Sequence, residues 1–166
     1  MNNKPFKNAQ IAENKQNYKK AFSIYLRATK KGDTDCELNL GYCYDNGIGV
    51  RKNKKKAAYY YKRCADRGDF CGANNLAILY KEKENFNMAE KYFGLAINLG
   101  DKDAALEMTK ILIKKGCIDS AKDYLKIITD ASPEEVTQAT RDEALKTLND
   151  MDQEHQKALV HPPAII

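Results

Sequence analysis

The sequence predicts an all-α protein, a right-handed α/α solenoid of stacked antiparallel helix pairs with a C-terminal capping helix. Two observations carry this prediction. Four segments align on one alanine, Ala21, Ala57, Ala89 and Ala121, at spacings of 36, 32 and 32 residues. From each alanine, the residues at +3, +4, +7 and +8 are apolar or small: Ile24, Tyr25, Ala28 and Thr29; Tyr60, Tyr61, Cys64 and Ala65; Tyr92, Phe93, Ala96 and Ile97; Tyr124, Leu125, Ile128 and Thr129. That spacing is a single buried helix stripe written four times.

Each element has its own signals. Residues 4–16 read as an incomplete first helix whose Ala9 and Ala12 pack on Ala21. Asn17, Asn53 and Asn85 stand four residues before the aligned alanine, where an N-cap belongs. Gly32-Asp33, Gly68-Asp69 and Gly100-Asp101 end three of these helices; glycine supplies a left-handed turn and the aspartate can cap the next helix. Between the striped helices lies a second set, CELNLGYCY from Cys36, GANNLAILY from Gly72 and AALEMTKIL from Ala104. Leu40, Leu76 and Met108 align in it, as do Tyr44, Tyr80 and Leu112, with Gly41, Ala77 and Thr109 at a place where helices approach closely. This second set supplies the A helices and the striped set the B helices of each A–turn–B unit. The longer spacing places four extra residues in one turn, around Gly47-Ile48-Gly49-Val50.

The repeats cover 17–132 of a single helical-repeat domain. Ser132-Pro133-Glu134-Glu135 reads as a helix start with a capping box, opening a capping helix over 133–160. Its apolar face is Val136, Ala139, Leu145, Leu148, Met151, His155 and Leu159. The apolar, proline-broken ALVHPPAII runs into a tail at 161–166.

Composition bounds the function. The chain has 166 residues, 43% hydrophobic and 31% charged, as expected of a soluble folded protein. A net charge of +5 is too small to imply nucleic acid by itself. No apolar segment opens the chain and none reaches membrane-spanning length, which points to the cytoplasm, although a mature secreted form would read the same. Five cysteines, without a CxxC pair, read as reduced thiols. The only histidines are His155 and His161, so no Cys/His pair has metal spacing, and no nucleophile motif appears. Neither an enzyme site nor a cofactor is expected.

Gly47 and Gly49 precede a lysine cluster and raise the question of a phosphate cradle. A P-loop needs G-x-x-x-x-G-K-[ST] between a strand and a helix; here the glycines are too close and follow a helix. They read as a turn that takes positive φ, with Val50 tucked toward the core. The basic edge of Arg51, Lys54, Lys55, Lys62 and Arg63, with Lys52 and Lys56 beside it, reads as a solvated face or as an anion or nucleic-acid contact. Tyr60 and Tyr61 fall on the buried stripe, which leaves Tyr59 free. Repeat alignment places Cys43 and Cys64 in the core, Cys36 at a small-residue site and Cys71 in partial exposure. Cys117 takes the N-cap place, where a helix N-terminus favours thiolate, and is the redox candidate.

The segment LGYCYDNGIGVRKNKKKAAYYYKRCADRGD resembles a Sel-one-like repeat, a relative of the tetratricopeptide repeat. Leu40-Gly41, Tyr44, Gly47, Gly49, Val50, Lys56-Ala57, Tyr60-Tyr61, Ala65 and Gly68 match the family pattern in order. The resemblance implies a non-enzymatic scaffold that holds a protein or peptide partner in a concave groove lined by A helices. Carried over, the groove positions are Leu38, Tyr42 and Asp45; Asn74, Ile78 and Lys81; and Leu106, Lys110 and Ile113. Relatives act as adaptors in signalling, assembly or microbe–host contact, and some small bacterial ones neutralise a toxin by binding it. Secreted, cysteine-rich members staple the two helices of a repeat with a disulfide, an arrangement that Cys64 and Cys71 resemble; the other copies do not repeat it, and free thiols are expected. The alternative partner is nucleic acid or an anionic surface at the basic edge.

Overall fold

A computed structural model describes residues 4–160, with side chains for 4–153; the side chains of His155 and Leu159, and the tail 161–166 with His161, lie outside the described residues. The described residues form nine helices: α1 (Lys4–Asn14), α2 (Tyr18–Lys30), α3 (Glu37–Asn46), α4 (Lys54–Asp66), α5 (Phe70–Glu82), α6 (Phe86–Asn98), α7 (Ala104–Lys114), α8 (Ile118–Thr129) and α9 (Gln138–Val160). Up to α8 the odd-numbered helices are the A set and the even-numbered the B set. The chain divides into two compact units, Met1–Leu99 and Gly100–Ile166.

In the first unit α1 packs on α2, α3 on α2 and α4, and α5 on α4 and α6. The aligned residues make this core. Ala21, Ala57 and Ala89 are fully buried, and so are Tyr25, Tyr61 and Phe93 four residues on. Each such ring buried from water contributes roughly 2–3 kcal/mol. The predicted N-caps are in place: Asn17, Asn53 and Asn85 accept from the backbone N–H of Lys20, Lys56 and Met88. Gly32 and Gly68 turn the chain at φ 88° and 82°. Of the aspartates that come after the helix-ending glycines, Asp69 caps the next helix through Cys71 and Gly72, whereas Asp33 closes a turn onto Asp35 and accepts from the Cys36 thiol.

Close approach explains two glycines. A Cβ on Gly41 would sit 2.8 Å from the Tyr61 ring, and one on Gly72 would overlap Cys64 and the α4 backbone. The inserted loop behaves as a turn: Gly47 is the left-handed C-cap of α3 at φ 76°, and Gly49 comes next at φ 70°. Gly49 lies against the backbone carbonyl of Tyr18, where a Cβ has no room.

In the second unit α7 packs on α8 and α8 on α9, around Ala105, Met108, Ile111, Ala121, Leu125 and Ile128. Thr109 takes the small-residue place at 0% exposure because its hydroxyl donates back to the Ala105 carbonyl at 2.9 Å. The residue at the N-cap of α7 is Asp103, whose carboxylate makes no capping bond and accepts instead from Thr137 N–H at 3.2 Å. Asp101, two residues before it, has the backbone N–H groups of Asp103 and Ala104 on its carboxylate.

The last helix begins at Gln138, not Pro133. Half of the expected capping box forms, since Ser132 N–H donates to Glu135 at 2.9 Å, but Lys102 draws the same carboxylate to 2.6 Å and the chain turns again. Thr137 is the working cap, accepting from Thr140 N–H. Arg141 then donates to the carbonyls of Thr129 and Ala131, the open end of α8. That seat rotates the helix: Ala144 is buried and Ala139 and Leu145 are exposed, while Leu148 and Met151 are half-buried.

Candidate interaction surfaces

The predicted groove positions fall at i, i+4 and i+7 on each A helix, a spacing that makes one stripe. On α3, Tyr42 is 51% exposed and Leu38 is half-buried. On α5, Asn74, Ile78 and Lys81 are all half-buried. Asp45 is held internally. Lys54 bridges it at 2.5 Å to Glu82 at 2.8 Å, tying the ends of α3 and α5 together, and the Tyr61 hydroxyl donates to it at 3.4 Å. In the second unit Leu106 is only 7% exposed and so packs inward, Lys110 pairs with Glu107 and Glu143, and Ile113 is exposed. Only Tyr42, Ile113 and Lys110 among these nine positions are exposed rather than buried or half-buried.

The Tyr61–Asp45 bond has a counterpart. Tyr25 holds the same place on α2 and donates to Glu13 of α1 at 3.1 Å. Burial first, and the carboxylate second, push both phenol pKa values far up, so each hydroxyl remains a donor. Where the third copy has Phe93 at the tyrosine place it has Lys81 at the acid place, and the fourth has Leu125 with Ile113. Hydroxyl and carboxylate are present together or absent together. Asp45 was therefore readable as an internal partner, through a pairing that becomes visible once the facing helices are known.

The basic edge is largely neutralised. Lys54 is bridged as above, Lys62 pairs with Asp66 at 2.7 Å, and Arg63 pairs with Glu37 at 2.6 Å. Arg67 reaches the other Glu37 oxygen at 2.6 Å, off hydrogen-bond alignment. Glu37 is 1% exposed and was not anticipated as the partner of this edge; its signal is an acid in the first turn of α3 facing two arginines one turn apart at the end of α4. Arg51 and Lys55 are exposed and carry no ion pair among the described residues. Tyr60 is half-buried rather than buried: it stacks on Tyr44 at 6.0 Å, with Lys56 5.0 Å from the Tyr44 ring. Tyr80 and Tyr92 repeat that stack at 5.6 Å.

The cysteines are thiols. Cys36, Cys43 and Cys64 are buried, Cys71 is half-buried, and Cys117 is exposed at the start of α8 without a side-chain cap bond. Burial pushes Cys36 and Cys43 up to about 12 and Cys64 up to about 11. Among the described residues no group of three His, Cys, Asp or Glu side chains could hold a metal ion, and no helix is long and apolar enough to cross a membrane.

Comparison with known proteins gives the chain its family. A segment of 61 residues is 31% identical to the DAP3-binding cell death enhancer 1 of Rattus norvegicus, covering 37% of this chain and 12% of the rat protein. The crystal structure of a Sel1 repeat protein from Oxalobacter formigenes superposes with a TM-score of 0.58 at 22% identity, over 66% of this chain and 47% of that one. A protective antigen present in uropathogenic Escherichia coli strains, displaying an SLR fold, superposes with a TM-score of 0.60 at 19% identity, over 82% of this chain and 34% of the antigen. The chain thus spans less than half the length of each, and the structural likenesses place it among all-α helical repeat solenoids. That fold generally mediates protein–protein interaction, and the family is generally a non-catalytic scaffold. The Sel1 repeat itself matches at residues 15–33, 34–69 and 73–101, just over half of the sequence, so the chain belongs to the Sel1 repeat family.

Proposed function

We propose that the chain is a non-enzymatic adaptor that holds a protein or peptide partner on the A-helix face that Tyr42, Leu38 and Ile78 form on α3 and α5. The observation that carries this reading is Tyr42, an aromatic side chain 51% exposed on α3 beside half-buried Leu38. An exposed tyrosine on a rigid helix is the kind of anchor that dominates interface energetics. Its helix is held from behind, because the Tyr61 ring fills the space over Gly41 and Lys54 ties down Asp45. Ile78 on α5 supplies a second apolar contact. The partner class comes from the family; a toxin, an assembly component or a signalling protein would each suit such a stripe. The nucleic-acid alternative loses Lys54, Lys62 and Arg63 of its five cations to internal pairs.

Affinity capture of the tagged full chain from its native extract, split across nuclease treatment and a salt series, tests this. A stoichiometric protein partner that survives both treatments is expected. Tyr42→Ala with Ile78→Ala should weaken its capture by tenfold or more, roughly 1–2 kcal/mol for each anchor. Release by nuclease, or capture indifferent to both substitutions, overturns the reading.

A further inference from the structure

We propose a second binding surface in the first unit, on its B-helix side, for an acidic and partly apolar segment of a protein partner. Two adjoining clefts of about 480 and 520 Å³ share Leu26, Tyr44 and Lys56. The first opens between α2, the inserted loop and α4, where Arg51 and Lys52 line it. The second lies over Tyr59 and Tyr60, where Lys30 and Lys55 line it. No carboxylate lines either cleft.

The charge here is uncompensated in a way the rest of the edge is not. Lys30, Arg51, Lys52 and Lys55 are exposed and make no ion pair among the described residues, whereas the neighbouring Lys54, Lys62 and Arg63 are each satisfied by a carboxylate. Cations gathered over a low-dielectric floor focus their field into the clefts and select an anionic occupant.

The floor decides what kind of anion. Phe22 meets the Tyr44 ring edge-on at 5.3 Å, Tyr44 stacks on Tyr60 at 6.0 Å, and Lys56 sits 5.0 Å from the Tyr44 ring. Tyr59 meets Tyr60 edge-on and takes Arg63 at 5.7 Å. Phe22, Tyr44 and Tyr60 are engaged with one another, and Tyr59, at 56% exposure, is the single open ring, so the clefts offer no run of stacking platforms for successive nucleic-acid bases. What remains is an apolar floor of Leu26, Val50 and ring edges beneath a cationic rim. Aliphatic side chains fit the floor and glutamate or aspartate side chains reach the rim, which is the chemistry of an acidic peptide. None of the A-helix stripe positions lines these clefts, so the surface stands apart from the one proposed above.

The test uses the full chain and three labelled probes, read by fluorescence anisotropy over a salt series. The probes are a short peptide of alternating glutamate and leucine, the same peptide with glutamine for glutamate, and an oligothymidylate of the same charge as the first. The acidic peptide should bind, and the glutamine version should bind at least about tenfold more weakly. Lys30→Glu with Lys55→Glu should weaken the acidic peptide at least about tenfold. Lys83→Glu with Lys146→Glu, which changes net charge equally, should leave binding unchanged, as should Tyr42→Ala with Ile78→Ala. The proposal is overturned if the acidic peptide does not bind, if both charge reversals weaken it equally, or if the oligothymidylate binds more tightly than the peptide.

Discussion

The Glu37 carboxylate is 1% exposed, yet the side chains of the two arginines that hold it, Arg63 and Arg67, are 44% and 39% exposed. The asymmetry predicts unequal mutational costs. Glu37→Ala removes the buried anion and leaves two guanidiniums able to turn into water, so the loss is modest. Arg63→Ala with Arg67→Ala strands the carboxylate. An unpaired carboxylate in such a setting costs about 3–5 kcal/mol. Urea unfolding should therefore rank the double arginine variant well below Glu37→Ala. The thiols give a second residue-scale expectation. At pH 8 Cys36, Cys43 and Cys64 stay protonated, because burial raises each to about 11 or 12, and they are shielded as well. Alkylation of the native chain should begin at exposed Cys117, and Cys117→Ser should abolish the fast phase.

At the scale of the element, the turns from A to B helix carry the informative strain. Gln16 and Glu84 adopt φ of 55° and 56° at the place that Gly116 fills with φ 76°. Glu84→Gly relieves a left-handed penalty of about 1–2 kcal/mol and gives back about 0.5–1 in chain entropy. A net gain of about 0.5–1 kcal/mol should appear as a higher Tm. Gly49→Ala goes the other way: the strained φ alone costs about 1–2 kcal/mol, and the rigid Tyr18 carbonyl adds to it. The striped helices were readable because alanine, aromatic and small residues recur at fixed offsets and each asparagine cap faces one obvious backbone N–H. The start of α9 was not. Ser-Pro-Glu-Glu is a strong local signal, and it lost to Lys102 and Arg141, whose partners lie 33 residues downstream and 10 and 12 residues upstream. Local patterning carries no trace of such pairings until the helices are placed. For the same reason Tyr42 could be named as a surface position in advance, while Leu106 could not be recognised as packed inward, nor Asp45 as internally paired before its facing helix was known.

Over the whole molecule, acid stability has a definite sign. Lys102, and the Ser132 N–H with it, hold the Glu135 carboxyl at about 2, down from 4.5. A depressed acid stabilises the fold fully above its unfolded value and loses that contribution as pH falls through the folded one. The loss should run from about pH 4.5 to pH 2, and Glu135→Gln should flatten that part of the acid limb. Family, helix order and core were all legible because a repeat states its pattern several times over. The two proposed surfaces were less so, because a charge is available to a partner only when no neighbour has claimed it. The tyrosine–acid bonds of the first two helix pairs bear finally on how such a chain can be recombined. A B helix moved without its A helix would leave a buried hydroxyl facing lysine or isoleucine, or an acid facing phenylalanine or leucine. The smallest module interchangeable between the first two and the last two repeats is therefore the helix pair, and chimaeras cut between pairs should fold where those that join a B helix of one set to an A helix of the other should not.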